Sequence, residues 1–134
     1  MRFTLTLVAA AAIATAAAAQ QSALGLIHYE AGSASLDQQG LEHLNRVAGD
    51  LRQVSGTWSI TVLGHADRSE GSALATTALS RRRASVVRDA LIARGVPASL
   101  ITTTARGTAH PAPDATGPED NRRVEITIGR GSGW

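Results

Sequence analysis

The sequence predicts an α+β domain, a two-layer sandwich of four strands and two main helices in the order β-α-β-α-β-β. Three observations predict it. Apolar residues recur at helical intervals in two stretches, from Leu41 to Leu51 and from Ala75 to Ala93. Four shorter stretches alternate apolar with polar residues or are rich in Thr, Val and Ile, as strands are. Turn-forming residues separate the stretches, above all in the proline-bearing segment from Gly107 to Asp120.

The chain opens with a leader. Arg2 supplies a short positive start, Phe3 to Ala14 an apolar run, and Ala17-Ala18-Ala19 before Gln20 a small-x-small cleavage site. The run is short for a span of about 20 residues and its alanines are weakly apolar, so cleavage is expected rather than anchoring. The chain then divides into a signal peptide, 1–19, one domain, 20–130, and a flexible tail, 131–134. The domain is long enough for a single core.

Leu24 to Tyr29 reads as the first strand, with Gly25, Ile27 and Tyr29 on one face, and Ala31-Gly32-Ser33 as a turn. Ser35 and Gln38 have capping-box spacing, and Asp37 is a rival cap. Leu41, Leu44, Val47, Ala48 and Leu51 form one helix face, which Ser55-Gly56 ends. Trp58 to Leu63 alternates around Ile60 and Val62. Strand, helix, strand implies a parallel pair with a right-handed crossover. Asp67 to Ser72 is a polar turn, with Ser72 as the cap of the next helix. That helix runs without Pro or Gly from Ala73 to Arg94, its buried stripe expected at Ala75, Leu79, Val86, Ala90 and Ala93 with Val87 and Leu91 beside it. Gly95 and Pro97 stop it. Leu100 to Ala105 is a Thr-rich strand. In the last strand Val124, Ile126 and Ile128 alternate with Arg123, Glu125 and Thr127, and Gly129 onward is a loose tail.

Composition narrows the function. Cysteine is absent, which excludes disulfides, thiolate metal sites and a lipidated cysteine. All 13 basic side chains are arginine, each a planar fork suited to carboxylates. The formal charge is only +2, one unit of it from Arg2 in the leader, and no basic stripe with interleaved aromatics appears. Nucleic acid is therefore not the expected partner.

Two charged residues stand out. Arg83 follows Leu79 by four residues and precedes Val86 and Val87, so it shares the apolar side of its helix. An unpaired buried charge is costly, so it must find a partner or extend its head to water. Arg81 and Arg82 point elsewhere, as a solvated basic face. Asp67 follows a strand ending at Gly64 or His65, where ligands gather in sheet proteins, although a turn or cap role explains it as well.

The segments Gly64-His65-Ala66-Asp67, Leu79-Ser80-Arg81-Arg82-Arg83-Ala84 and Asn121-Arg122-Arg123-Val124-Glu125-Ile126 occur in this order. In that order and spacing they resemble the OmpA-like peptidoglycan-binding domain, over about Leu26 to Ile128. The resemblance implies a mixed sheet with its helices on one face. It also implies that Asp67 and Arg83 bind the diaminopimelate of the peptidoglycan stem peptide, the aspartate taking the ammonium and the guanidinium the carboxylate. Leu79 is then expected to pack on the ligand's chain, and Tyr29 and Glu30 to line the site. Thr76 stands where the family has asparagine, and Tyr29 where it has phenylalanine. One extra residue lies between Asp67 and Gly71 relative to the commonest spacing. Asn121 is expected to close a loop, and one of Arg122 and Arg123 to brace the site.

The expected role is therefore binding of diaminopimelate-type peptidoglycan in the periplasm of a Gram-negative envelope, at the wall, with the outer membrane as a further location. Other envelope proteins are further candidate partners. An interaction module without wall binding is the alternative. No enzyme, cofactor or metal is expected: His28, His65 and His110 lack metalloprotease spacing, and no nucleophile elbow is present.

Overall fold

A computed structural model describes residues 21–130, so the leader and the 131–134 tail lie outside the described residues. Strands β1 (Gln21–His28), β2 (Trp58–Gly64), β3 (Ile101–Ala105) and β4 (Arg123–Arg130) form one sheet in the order β1-β4-β2-β3. Helices α1 (Gln38–Leu51) and α2 (Ala73–Ala93) connect the strands before β3. The fold is the α+β sandwich that the patterning predicts, with the mixed sheet that the resemblance implies.

One pairing differs. β1 and β2 do not form a parallel pair: each pairs antiparallel with β4, which lies between them, while β2 pairs parallel with β3. β1 and β2 still run in the same direction. The strand–helix–strand pattern specifies direction, but a strand sixty residues later takes the central place. Arg123 and Val124 begin β4, and Gly129 and Arg130 extend it instead of opening the tail.

The core is the helix-facing side of the sheet. Ile60, Val62, Val124 and Ile126 are fully buried against Leu44, Val47, Val87 and Leu91. At about 1.5–3 kcal/mol per fully buried aliphatic side chain, this layer supplies most of the favourable term in folding. Asp37 rather than Ser35 caps α1, its Oδ1 accepting from the Gly40 amide at 2.7 Å. Ser72 caps α2 as expected. The C-terminus of α2 closes with the Gly95 amide on Ile92 O and the Val96 amide on Leu91 O, the paired bonds of a Schellman motif.

The buried face of α2 is rotated from the expected stripe. It comprises Thr76, Leu79, Ser80, Arg83, Ala84, Val87 and Leu91, whereas Ala75 and Ala93 are exposed. Three of these seven are polar, so apolar periodicity alone points to the wrong side. Gly64 allows α2 to come close: a Cβ there would stand 1.9 Å from Ser80 O. That approach sets Arg83 beneath the loops at the end of inner strand β2, not at a sheet edge.

Candidate functional site

β2 ends at Gly64, and Asp67 lies three residues on as the cap of a 3₁₀ turn, Arg68–Glu70. Its Oδ2 accepts from the Ser69 amide at 2.9 Å and from the Ser69 hydroxyl, and its Oδ1 accepts from Asn121 Nδ2 at 2.8 Å. The Ser69 hydroxyl first and the Asn121 amide next hold the Asp67 carboxyl below its ordinary range, with the Ser69 amide and the Arg122 charge adding to them against a small effect of burial. Asp67 is thus an ionised carboxylate at a half-exposed rim. Asn121 also accepts from the Ala112 amide at 2.9 Å, closing the proline-rich loop as expected.

Glu70 completes the capping box, its Oε1 accepting from the Asp67 amide at 2.8 Å. The same oxygen accepts from Arg83 Nη1 at 2.9 Å, so one atom joins the two residues expected to bind ligand. Oε2 accepts from Arg83 Nη2 at 2.5 Å and from the Gly32 amide at 2.8 Å. Gly32 adopts φ +71°, a conformation that side-chain-bearing residues rarely take. Burial raises the Glu70 carboxyl, but the bonds from Arg83, Asp67 and Gly32 outweigh it, and the group lies below its ordinary range.

Arg83 is fully enclosed. Nε donates to Ser33 O at 2.8 Å, Nη1 also to His65 O at 3.0 Å, and Nη2 also to Glu30 O at 3.2 Å. With the two bonds to Glu70, all five N–H groups of the guanidinium are engaged. The side chains of Arg83 and Glu70 are both 0% exposed. The Tyr29 ring lies 5.0 Å from the guanidinium carbon, adding a cation–π contact.

In this arrangement the residues expected to bind ligand are largely engaged within the chain. Arg83 has no donor to offer a ligand while Glu70 is in place. Thr76 is buried, its hydroxyl donating back to Ser72 O at 2.9 Å, and Leu79 is buried with Ala34 and Ala66. Neither presents a surface to a ligand in this conformation. Tyr29 is buried, and Glu30 contributes its carbonyl to Arg83 while its side chain stays exposed. Tyr29 and Glu30, with Ser33 and Arg122, line a cleft of about 620 Å³ between β1 and α1, which neither Asp67 nor Arg83 reaches.

The two arginines of the last segment divide the work. Arg122 Nε donates to Tyr29 O at 2.9 Å on the side nearer Asp67. Arg123 is buried, with Nε on Glu125 Oε1 at 3.0 Å and Nη2 on His110 O at 3.0 Å, and so braces the proline-rich loop. Beside it His65 Nε2 lies 3.2 Å from Glu125 Oε2. Burial first, and the Arg123 charge next, lower the His65 pKa to about 4 against the opposing pull of Glu125.

Sequence reasoning missed Glu70. A signal for it was present: Asp67-Arg68-Ser69-Glu70 has the spacing of a capping box.

Comparison with known proteins agrees with this fold. The family model of the OmpA family matches residues 28–125. The probable lipoprotein YiaD of Escherichia coli is 38% identical over 105 residues, covering 76% of this chain and 47% of its own. The peptidoglycan-binding protein ArfA of Mycobacterium bovis is 37% identical over 107 residues, covering 78% of this chain and 32% of its own. The chain thus spans about half or less of the length of these two relatives. Among solved structures, the C-terminal domain of Helicobacter pylori MotB superposes with a TM-score of 0.70 at 25% identity, covering 81% of this chain and 86% of that one.

Proposed function

The chain belongs to the OmpA family, and on that premise we propose that it binds peptidoglycan without catalysing a reaction, by gripping diaminopimelate of the stem peptide in the periplasm. The observation that carries the reading is the Glu70 Oε1 bridge. It sets an ionised, half-exposed Asp67 one carboxylate away from the Arg83 guanidinium.

The free end of diaminopimelate carries an ammonium and a carboxylate. Asp67 Oδ1 has one bond, from Asn121, and so retains room for an ammonium donor. The ligand's carboxylate is the group that can replace Glu70 on Arg83, since one carboxylate leaves the buried cation as well paired as the other. A lysine-type stem peptide lacks that carboxylate and would leave Arg83 with Glu70, which is how the site would discriminate. Exchange of this kind favours weak single-site binding, with avidity along the polymer making up the difference.

The saturation of Arg83 favours a second reading, an envelope protein-interaction module that no longer binds the wall. Co-sedimentation with purified sacculi separates the two. Under the first reading the wild type is retained and Asp67→Asn is released. Under the second the wild type stays in the supernatant. Retention that Asp67→Asn does not change would place wall contact elsewhere on the domain.

A further inference from the structure

We infer that Glu70 is an internal ligand of the Arg83 subsite, so that this domain accepts an external carboxylate only by exchange, and Glu70 sets its affinity. The inference rests on the wall-binding reading for its natural ligand, but the occupancy of the subsite stands on the geometry alone.

Glu70 makes the contacts a bound carboxylate would make. Both oxygens face the Arg83 fork, and each takes a second bond from a main-chain amide, Asp67 on one side and Gly32 on the other. Four donors therefore converge on one carboxylate from a helix, a turn and the loop after β1. Of the three residues between Asp67 and Gly71, Glu70 alone points inward; Arg68 and Ser69 are exposed. The capping box on Asp67 aims the side chain at Arg83.

An exchange follows from the chemistry. When Glu70 swings to solvent, the Arg83 fork and the Gly32 and Asp67 amides become free together, and a small carboxylate can take all four donors. Glu70 is tethered, so an external carboxylate competes against an effective concentration on the order of millimolar or more. Removing the tethered competitor should raise affinity for a free carboxylate ligand at least tenfold.

The test uses the full chain as wild type, Glu70→Ala and a variant with Glu70 deleted. Each is titrated with acetate, with meso-diaminopimelate, and with cadaverine, the diamine that lacks both carboxylates. Thermal midpoint and calorimetric affinity are read. The expected result is that acetate and diaminopimelate raise the midpoint of both variants in a concentration-dependent way while cadaverine does not. Diaminopimelate should also bind both variants at least tenfold tighter than wild type. A variant unfolded in buffer is scored by circular dichroism for folding as carboxylate is added. Absence of any carboxylate response in both variants overturns the inference, as does equal diaminopimelate affinity in all three proteins. Rescue by acetate and diaminopimelate without sacculus retention by any of the three would uphold the internal ligand and sink the wall-binding reading instead.

Discussion

Arg83 and Glu70, thirteen residues apart, clasp each other through two parallel N–H···O bonds with neither side chain exposed to solvent. A buried pair of this kind adds little net stability over an apolar pair, yet breaking it strands a charge. Its effect on the fold is therefore largest when only one partner is removed.

Arg83→Ala should destabilise the domain by about 3–5 kcal/mol, because the buried Glu70 carboxylate loses its countercharge and keeps only two main-chain amides, and three main-chain carbonyls lose their donor. Arg83→Lys should recover little of this, since a single ammonium cannot serve five acceptors in fixed directions. In a double-mutant cycle with Glu70→Ala the combined loss should fall short of the summed singles by roughly 1–3 kcal/mol. Urea unfolding of the four proteins checks this, and strict additivity would show that the pair does not act as one unit.

Asp67→Asn should leave the fold nearly intact, since asparagine caps a turn about as well as aspartate. It removes the rim charge and keeps an acceptor for Ser69, at the cost of the bond from Asn121 Nδ2, about 1 kcal/mol. The expected outcome is a thermal midpoint close to wild type together with loss of diaminopimelate binding. Because hydrogen bonds hold the Asp67 carboxyl below its ordinary range, its charge persists as pH falls past that range and is lost only beneath it. Binding measured by calorimetry from pH 7 to pH 4.5 should therefore show no step assignable to Asp67.

His65 gives the domain an acid-sensitive window of its own. The unfolded side chain takes up a proton near 6.5, whereas the folded one does so near 4. Between those values the unfolded chain binds more protons, so stability falls as pH drops from 6.5 toward 4 and is fully present above 6.5. The swing is at most about 3 kcal/mol. Glu70, Glu125 and Asp67 are all lowered from their ordinary values of 4.5, 4.5 and 3.8, so their contributions begin to be lost as pH falls toward those values, and the upper part of the window, above about pH 5.5, belongs to His65. Urea midpoints measured across about pH 5.5–7 should slope in wild type and flatten in His65→Asn. An equal slope in both proteins would remove His65 as the cause.

Local patterns carried most of the fold and placed the turn that bears Asp67. The alternation of Ile60 and Val62 and the helical spacing of Leu44, Val47 and Leu51 are properties of neighbouring residues, and both appear as read. The insertion of β4 between β1 and β2 depends on pairing over sixty residues or more, which no local window contains. The rotation of α2 escaped for a different reason. Thr76, Ser80 and Arg83 are buried because each finds a partner, two of them on main-chain carbonyls of their own helix, and apolar counting cannot see a satisfied polar group. At the candidate site, the turn-cap role of Asp67 and the loop-closing role of Asn121 were legible from position. The occupation of Arg83 was not, because it depends on where a three-residue turn aims one side chain.

Gly64→Ala tests how that turn and Arg83 are held in register. A methyl group at position 64 would meet Ser80 O at 1.9 Å, and Ser80 C at 2.8 Å, so main chain and not a flexible tip must move. Overpacking of this kind costs about 1–3 kcal/mol and occasionally more. The displacement also has a direction: α2 must lift from the end of β2, which lengthens the bond from Arg83 Nη1 to His65 O. It also strains the bond from the Gly107 amide to Ser80 Oγ, which ties the loop after β3 to the same turn of α2. The variant should therefore lose about 1–3 kcal/mol of stability and show faster amide exchange at Gly107 and in the Arg68–Glu70 turn, with the α1 face little changed. Hydrogen exchange read by NMR distinguishes this from general loosening, because a uniform rise in exchange over both helices would mean that Gly64 supports the core rather than the seat of Arg83.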